Sequence, residues 1–123
     1  MTDHREFTGG RNIALKIPPH EYDSTLRFYR DTLGLRQLEE HLPSRVFEFG
    51  ANLLWLDQVQ SMTRTEVWLE LRTTNTKAAA NRLEEHGVVR CDEIEKLPEG
   101  FDGFWISSPG KVVHLVHGRQ EYI

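Results

Sequence analysis

The two halves of this 123-residue chain repeat one order of elements, and this repeat is the strongest constraint on its fold. An alternating run begins at Asn12, leads into a helical pattern and stops at Gly34. A second alternating run begins at Glu66, leads into another helical pattern and stops at Gly87. Because a small repeated module cannot bury its apolar face alone, we expect the two copies to pack and to build a site between them.

Each half predicts a strand, a helix and three short strands. In the first half, Ile13, Leu15 and Ile17 form one face of a half-buried strand, and a helix follows from about Glu21. The further strands of the first half are predicted at residues 35–40, 45–49 and 52–57. The second half predicts a strand at 66–71, a helix capped near Asn75, and strands at 88–92, 101–106 and 111–117.

The predicted organisation has five parts. These are a flexible lead over residues 1–10, a first βαβββ module over 11–58, a linker over 59–65, a second βαβββ module over 66–117 and a tail over 118–123.

Composition excludes several kinds of partner. The net charge is −4, and the Lys and Arg residues are scattered, which argues against nucleic acid or an anionic membrane surface. Cys91 is the single cysteine, so no internal disulfide can form, and no run approaches a membrane span. These features predict a cytoplasmic protein.

The segment at residues 28–35, Phe-Tyr-Arg-Asp-Thr-Leu-Gly-Leu, together with the tandem βαβββ pattern, resembles the vicinal oxygen chelate superfamily. That group includes glyoxalase I, bleomycin-resistance proteins, extradiol dioxygenases and fosfomycin-resistance enzymes. The turn at residues 108–111, Ser-Pro-Gly-Lys, departs from the family's frequent Asp-Pro-Asp-Gly. The resemblance implies an α+β fold in which mixed sheets of two modules curl into an open cup, with helices outside and a ligand within.

The resemblance also implies where a metal would bind. The family's four ligand positions correspond to Asn12, Trp55, Glu66 and His114. The indole N–H of Trp55 is a donor only and cannot bind a metal, so the usual set is broken in the first module. Glu66 and His114 remain as candidate ligands for Fe, Mn, Ni or Zn.

Two alternatives concern these residues. Asp57 and Glu70 lie on the same strand faces as the ligand positions Trp55 and Glu66 and could complete a metal set. In an enzyme, Glu66 and His114 would hold the metal, or His114 would move a proton. Otherwise Glu66 and His114 form an ion pair or hydrogen bond across adjacent strands.

The face that carries these positions predicts a ligand class. Trp55 and Trp68 among the carboxylates of Asp57, Glu66 and Glu70 suit a planar cation. The alternative is that both tryptophans fill the cup as core. The predicted face holds Asn12, Ala14 and Lys16 on the first strand, Leu53, Trp55 and Asp57 on the fourth, Glu66, Trp68 and Glu70 on the fifth, and Val112, His114 and Val116 on the last.

These observations favour a glyoxalase/bleomycin-resistance-like protein that binds a small molecule without the four-ligand metal. The alternative is a divalent-metal-dependent lyase, isomerase or dioxygenase that uses Glu66 and His114. A third hypothesis is a scaffold whose sheet edges pair with another chain. In the family, a cup forms within one chain or by module exchange, and the resemblance implies a homodimer.

Overall fold

The computed structural model describes residues 6–118, which divide into two compact units. The first unit is formed by residues 11–68, and the described part of the second by residues 6–10 and 69–118. Each unit combines a mixed sheet with one α-helix, which confirms the predicted α+β class. The strands of the described residues are β1 (Thr8–Gly9), β2 (Asn12–Ile17), β3 (Arg45–Phe49), β4 (Asn52–Gln58), β5 (Glu66–Arg72), β6 (Val89–Arg90), β7 (Gly103–Ser107) and β8 (Val113–His117). The α-helices of the same residues are α1 (Pro19–Arg27) and α2 (Thr76–Glu85).

The first unit is a sheet of order β3-β4-β2-β5 that packs one face against α1. Strand β2 is parallel to β4 and antiparallel to the start of β5, and β3 is antiparallel to β4. The alternation expected for β2 holds, because Leu15 and Ile17 are buried in one cluster with Leu26 of α1. The other members of this cluster are Phe47, Leu54 and Leu56.

Helix α1 is set by the residues at its two ends. Pro18 is extended and Pro19 occupies the first turn, where a missing N–H costs no hydrogen bond. The helix continues as a π-helical turn over Phe28–Thr32, and Gly34 then adopts a φ of 68°. The predicted glycine stop is therefore confirmed, since a positive φ favours glycine.

The predicted strand at residues 35–40 is wrong. The structure has a single bridge there, between Gln37 and Phe47, and Glu39–His41 forms a 3₁₀ turn. The amide of Leu38 still donates to the carbonyl of Val46 at 2.8 Å, so this segment covers the edge of β3 without forming a strand. The predicted strands at 45–49 and 52–57 are confirmed as β3 and β4.

The second unit has the order β5-β8-β7-β6, with β1 on the other side of β5. Strands β5 and β8 are parallel, and β7 is antiparallel to both β8 and β6. Helix α2 packs Ala79 against Phe104, Ile106 and Val116. The helix starts where the sequence predicts, because the side-chain oxygen of Asn75 accepts from the amide of Ala78 at 2.9 Å.

Two parts of the second unit differ from the prediction. The described end of the predicted lead contains β1, which pairs antiparallel with β5, and Phe7 packs beside the α2 core. The strand predicted at 88–92 is limited to β6, because Asp92–Ile94 forms a 3₁₀ turn in which Asp92 accepts the backbone N–H of Trp105. The two compact units divide within β5, after Trp68, and the predicted module bounds stay predictions. The tail predicted beyond Gly118 lies outside the described residues.

Within residues 6–118, neither helix has the length and the apolar character needed to cross a bilayer.

Candidate functional site

In the first unit, the sheet face opposite α1 gathers the residues that the sequence selects. Strand register aligns Asn12, Ala14 and Lys16 of β2 with Leu53, Trp55 and Asp57 of β4. On the other side of β2, Ala14 pairs with Trp68 and Lys16 pairs with Glu66. Paired residues share a face of the pleated sheet. We call the set Asn12, Lys16, Trp55, Asp57, Glu66 and Trp68 the Trp55 face.

Trp55 is tied to the strand beside it. Its indole N–H donates to the side-chain oxygen of Asn12 at 2.7 Å. Its ring lies 5.1 Å from the ring of His41, and the two planes are inclined by 59°. The residue is only partly buried, beside the cluster of Leu38, Val46 and Leu53. The ring is therefore held in one orientation while part of its surface remains accessible.

Lys16 is a buried cation on the Trp55 face. The residue is 4% exposed, and its Nζ lies 2.8 Å from Oδ2 of Asp57. The same ammonium lies 4.4 Å from the centre of the Trp68 ring. A buried charge needs such partners, since desolvation without them costs several kcal/mol, on the order of 5 or more. Lys16 thus neutralises Asp57 and covers one face of Trp68.

Glu66 and Trp68 form a second hydrogen-bonded pair. The indole N–H of Trp68 donates to Oε1 of Glu66 at 3.0 Å. Trp68 is 3% exposed, whereas Glu66 is exposed. The carboxylate of Glu66 therefore brings negative charge to the accessible part of the Trp55 face, and Trp68 lies beneath it as a packed ring.

In the second unit, the last strand faces the other way from the prediction. His114 pairs with Ile106, and Val116 pairs with Phe104, so His114 shares the face that packs on α2. The opposite face carries Leu115 and His117. The physical reason is the alternation of side chains, because a shift of one residue in a strand moves its whole set to the other face. The side chain of His114 has its Nδ1 3.0 Å from the carbonyl oxygen of Val112.

The opposite face of the second unit holds a buried acid–imidazole pair. Nε2 of His117 lies 2.9 Å from Oε2 of Glu70, and the two side chains are 6% and 8% exposed. Glu70 was expected on a ligand face, but sequence reasoning missed His117 as its partner. We call the set Glu70, Arg72, Gly103, Leu115 and His117 the His117 face, because strand register places them on one side of the sheet.

Cys91 carries no sign of nucleophilic activation. Burial, followed by the charges of Glu93 and Asp92, raises the pKa of its thiol. A raised pKa lowers the thiolate fraction near neutral pH, and the thiolate is the nucleophile.

The residues at the four ligand positions that the resemblance implies do not fit a four-ligand metal centre. Trp55 offers a donor and no acceptor, and the oxygen of Asn12 already accepts that donor. Glu66 accepts from Trp68, and His114 lies on the α2 side of its sheet. Among residues 6–118, no three His, Cys, Asp or Glu side chains are grouped so that they could hold a metal ion.

Comparison with known proteins identifies the fold. No protein-family model and no curated protein matches the chain. A hypothetical protein of Bacillus halodurans is 15% identical with a TM-score of 0.65, covering 97% of this chain and 99% of that one. The Mn(II)-bound glyoxalase of Novosphingobium aromaticivorans is 18% identical with a TM-score of 0.62, covering 96% of this chain and 42% of that one. The methylmalonyl-CoA epimerase of Mycobacterium tuberculosis is 16% identical with a TM-score of 0.60, covering 98% of this chain and 94% of that one.

These likenesses give the chain the vicinal oxygen chelate fold, as its sequence predicts. At such identities the likeness concerns the fold alone, because one fold supports many unrelated activities. The activity of this chain depends on its own side chains.

Proposed function

We propose that the protein binds a small planar cationic molecule on the Trp55 face, without the four-ligand metal centre. The observation that carries the proposal is the state of Trp55. Trp55 occupies a position where members of the family carry a metal ligand. Its indole N–H donates to the side-chain oxygen of Asn12 at 2.7 Å, and the residue remains partly exposed. A fixed aromatic ring with an accessible surface is suited to stacking on a flat ligand.

The charges of the Trp55 face favour a cation. The defined set holds one cation, Lys16, and two carboxylates, Asp57 and Glu66, so its net charge is −1 and its exposed carboxylate is that of Glu66. A ligand cation near Glu66 and over an aromatic ring gains Coulomb and cation–π attraction of about 0.5–2 kcal/mol. Trp68 does not stack on the ligand, since Lys16 already covers one face of its ring. It holds the carboxylate of Glu66 through its indole N–H.

Calorimetric titration tests the proposal with two flat probes of similar shape. Proflavine is a planar cation near neutral pH, and anthracene-9-methanol is neutral. We expect saturable binding of proflavine and much weaker binding of the neutral probe. Trp55→Ala and Glu66→Gln should each weaken proflavine by about tenfold, as loss of a stacking or charge contact predicts.

The control is Glu39→Gln, which removes an exposed carboxylate that lies outside the Trp55 face. It should leave the affinity for proflavine unchanged. Equal binding of both probes, or equal weakening by Glu39→Gln and Glu66→Gln, would show that the carboxylate of Glu66 does not select the ligand.

The alternative is a metal-dependent lyase, isomerase or dioxygenase that uses Glu66 and His114. Because the donor set does not fit the metal centre, we derive no catalytic step from it. The homodimer, the cytoplasmic location and the scaffold hypothesis stay predictions.

A further inference from the structure

The His117 face of the second unit contains a cation with an unused donor. Within residues 6–118, Nε of Arg72 is the one buried side-chain nitrogen or oxygen that has no hydrogen-bond partner. Leaving such a donor unpaired destabilises the folded chain, and more so for a charged group. Unpaired buried donors are rare in folded proteins, and a bound ligand that supplies an acceptor would explain this one.

Strand pairing fixes where Arg72 lies. In β5 it pairs with His117 of β8 on one side and with Thr8 of β1 on the other. The residue as a whole is only partly buried, although its Nε is buried, so a carboxylate that bonds Nε requires the guanidinium to turn toward solvent. Glu70, two residues earlier in the same strand, lies on the same face and is bonded to His117 at 2.9 Å.

An apolar ring borders this face. Gly103 of β7 pairs with His117, and a Cβ at that position would lie 2.6 Å from the ring of Phe101. The missing side chain lets Phe101 pack there, with its ring centre 6.0 Å from that of His117. The neighbourhood of His117 therefore combines polar groups with an aromatic surface.

We propose that Arg72 anchors a site for a small carboxylate with an apolar or aromatic body. The two oxygens of a carboxylate match the Nε–H and one terminal N–H of a guanidinium, which a lysine cannot reproduce. The carboxylate satisfies the buried donor of Arg72, and the body of the ligand packs toward Phe101. This site is separate in residues and in ligand charge from the function proposed above.

Side-chain NMR of arginine tests the site directly, because each Nε–H gives its own cross-peak. The probe is sodium benzoate, and the neutral control is benzamide at the same ionic strength. We expect benzoate to shift the Arg72 cross-peak saturably and benzamide to leave it in place. Arg36, which is exposed and paired with Glu48 at 3.2 Å, is the internal reference and should not shift saturably.

Arg72→Lys assigns the cross-peak and keeps the charge. It should weaken benzoate binding by about tenfold or more, since the paired N–H donors are lost. The proposal is overturned if Arg72 does not respond to benzoate, if Arg36 responds equally, or if Arg72→Lys binds as well as the unmodified chain. Trp55→Ala should leave benzoate binding intact, which separates failure of this site from failure of the cation site.

Discussion

Replacing Gly10 with alanine should disrupt the buried pair of Glu70 and His117. A Cβ at Gly10 would overlap Oε1 of Glu70 and would lie 2.6 Å from its Cγ. The carboxylate cannot simply move aside without losing His117, to which it is bonded at 2.9 Å. The φ of Gly10 is not in the left-handed region, so the effect comes from packing and not from backbone strain.

The cost can be worked out from three contributions. Overpacking a well-filled site costs about 1–3 kcal/mol. Loss of a charge-assisted hydrogen bond costs about 1.5–3 kcal/mol. Reduced entropy of the unfolded chain returns about 0.4–1 kcal/mol. The expected loss of stability is about 1.5–5.6 kcal/mol. For 123 residues the unfolding entropy is about 0.26 kcal/mol/K, so Tm should fall by about 6–22 °C.

Thermal and urea unfolding followed by circular dichroism measure the effect. The matched control is Gly9→Ala, because a Cβ at Gly9 would have no atom within 4 Å. It should change stability by no more than about 1 kcal/mol. In a Glu70→Ala background the clash is gone, so adding Gly10→Ala should cost about 0.5 kcal/mol or less.

Two results would refute the reasoning. The first is a Gly10→Ala variant as stable as Gly9→Ala, which would mean that Glu70 moves at no cost. The second is an equal penalty for Gly10→Ala with and without Glu70, which would remove the carboxylate from the explanation.

Three shorter predictions follow. Asn75→Ala should lower stability by about 1 kcal/mol because it removes the cap of α2, whereas Asn81→Ala, inside the same helix, should not, as urea unfolding would show. Alkylation of Cys91 by iodoacetamide near neutral pH should be slower than that of free cysteine, because its pKa is raised; a faster rate would contradict this. Equilibrium dialysis against Mn, Ni or Zn should give no stoichiometric binding that depends on Glu66 and His114. A metal that is bound by the unmodified chain and lost in Glu66→Gln or His114→Ala would contradict the conclusion that these residues do not form a metal centre.

The sequence predicted the fold correctly where strand alternation or helix capping, which depend on neighbouring residues, determines the local structure. The alternation from Asn12 to Ile17 gave the face of β2 correctly, and Asn75 marked the start of α2. The segment at 35–40 misled because its apolar residues cover an edge through Leu38 instead of pairing as a strand. Local preferences do not distinguish these two outcomes.

The strand faces that carry the candidate residues were predicted correctly on the first unit and not on the last strand of the second. The face of Trp55 and Asp57 agrees with the position that the resemblance gave to Trp55, although the run from Leu53 to Leu56 is apolar in both phases. The run from Val112 to His117 has apolar residues in both phases, so its period could not choose a face, and the placement of His114 on the same strand face as Glu70 was wrong. The pairing of Glu70 with His117 joins residues 47 apart in sequence, and only strand register reveals it.

The glycine at position 103 predicts how the sequence can diverge. A Cβ there would lie 2.7 Å from the backbone carbonyl oxygen of Val116, which cannot move without breaking the ladder. Gly87, by contrast, has open space and a φ of 73°, a conformation that asparagine also adopts. In a saturation-mutagenesis library, position 87 should accept asparagine while position 103 accepts glycine alone. The two glycines would then differ in their substitution profiles, because the backbone dihedral angle limits position 87 and the distance to the Val116 carbonyl limits position 103.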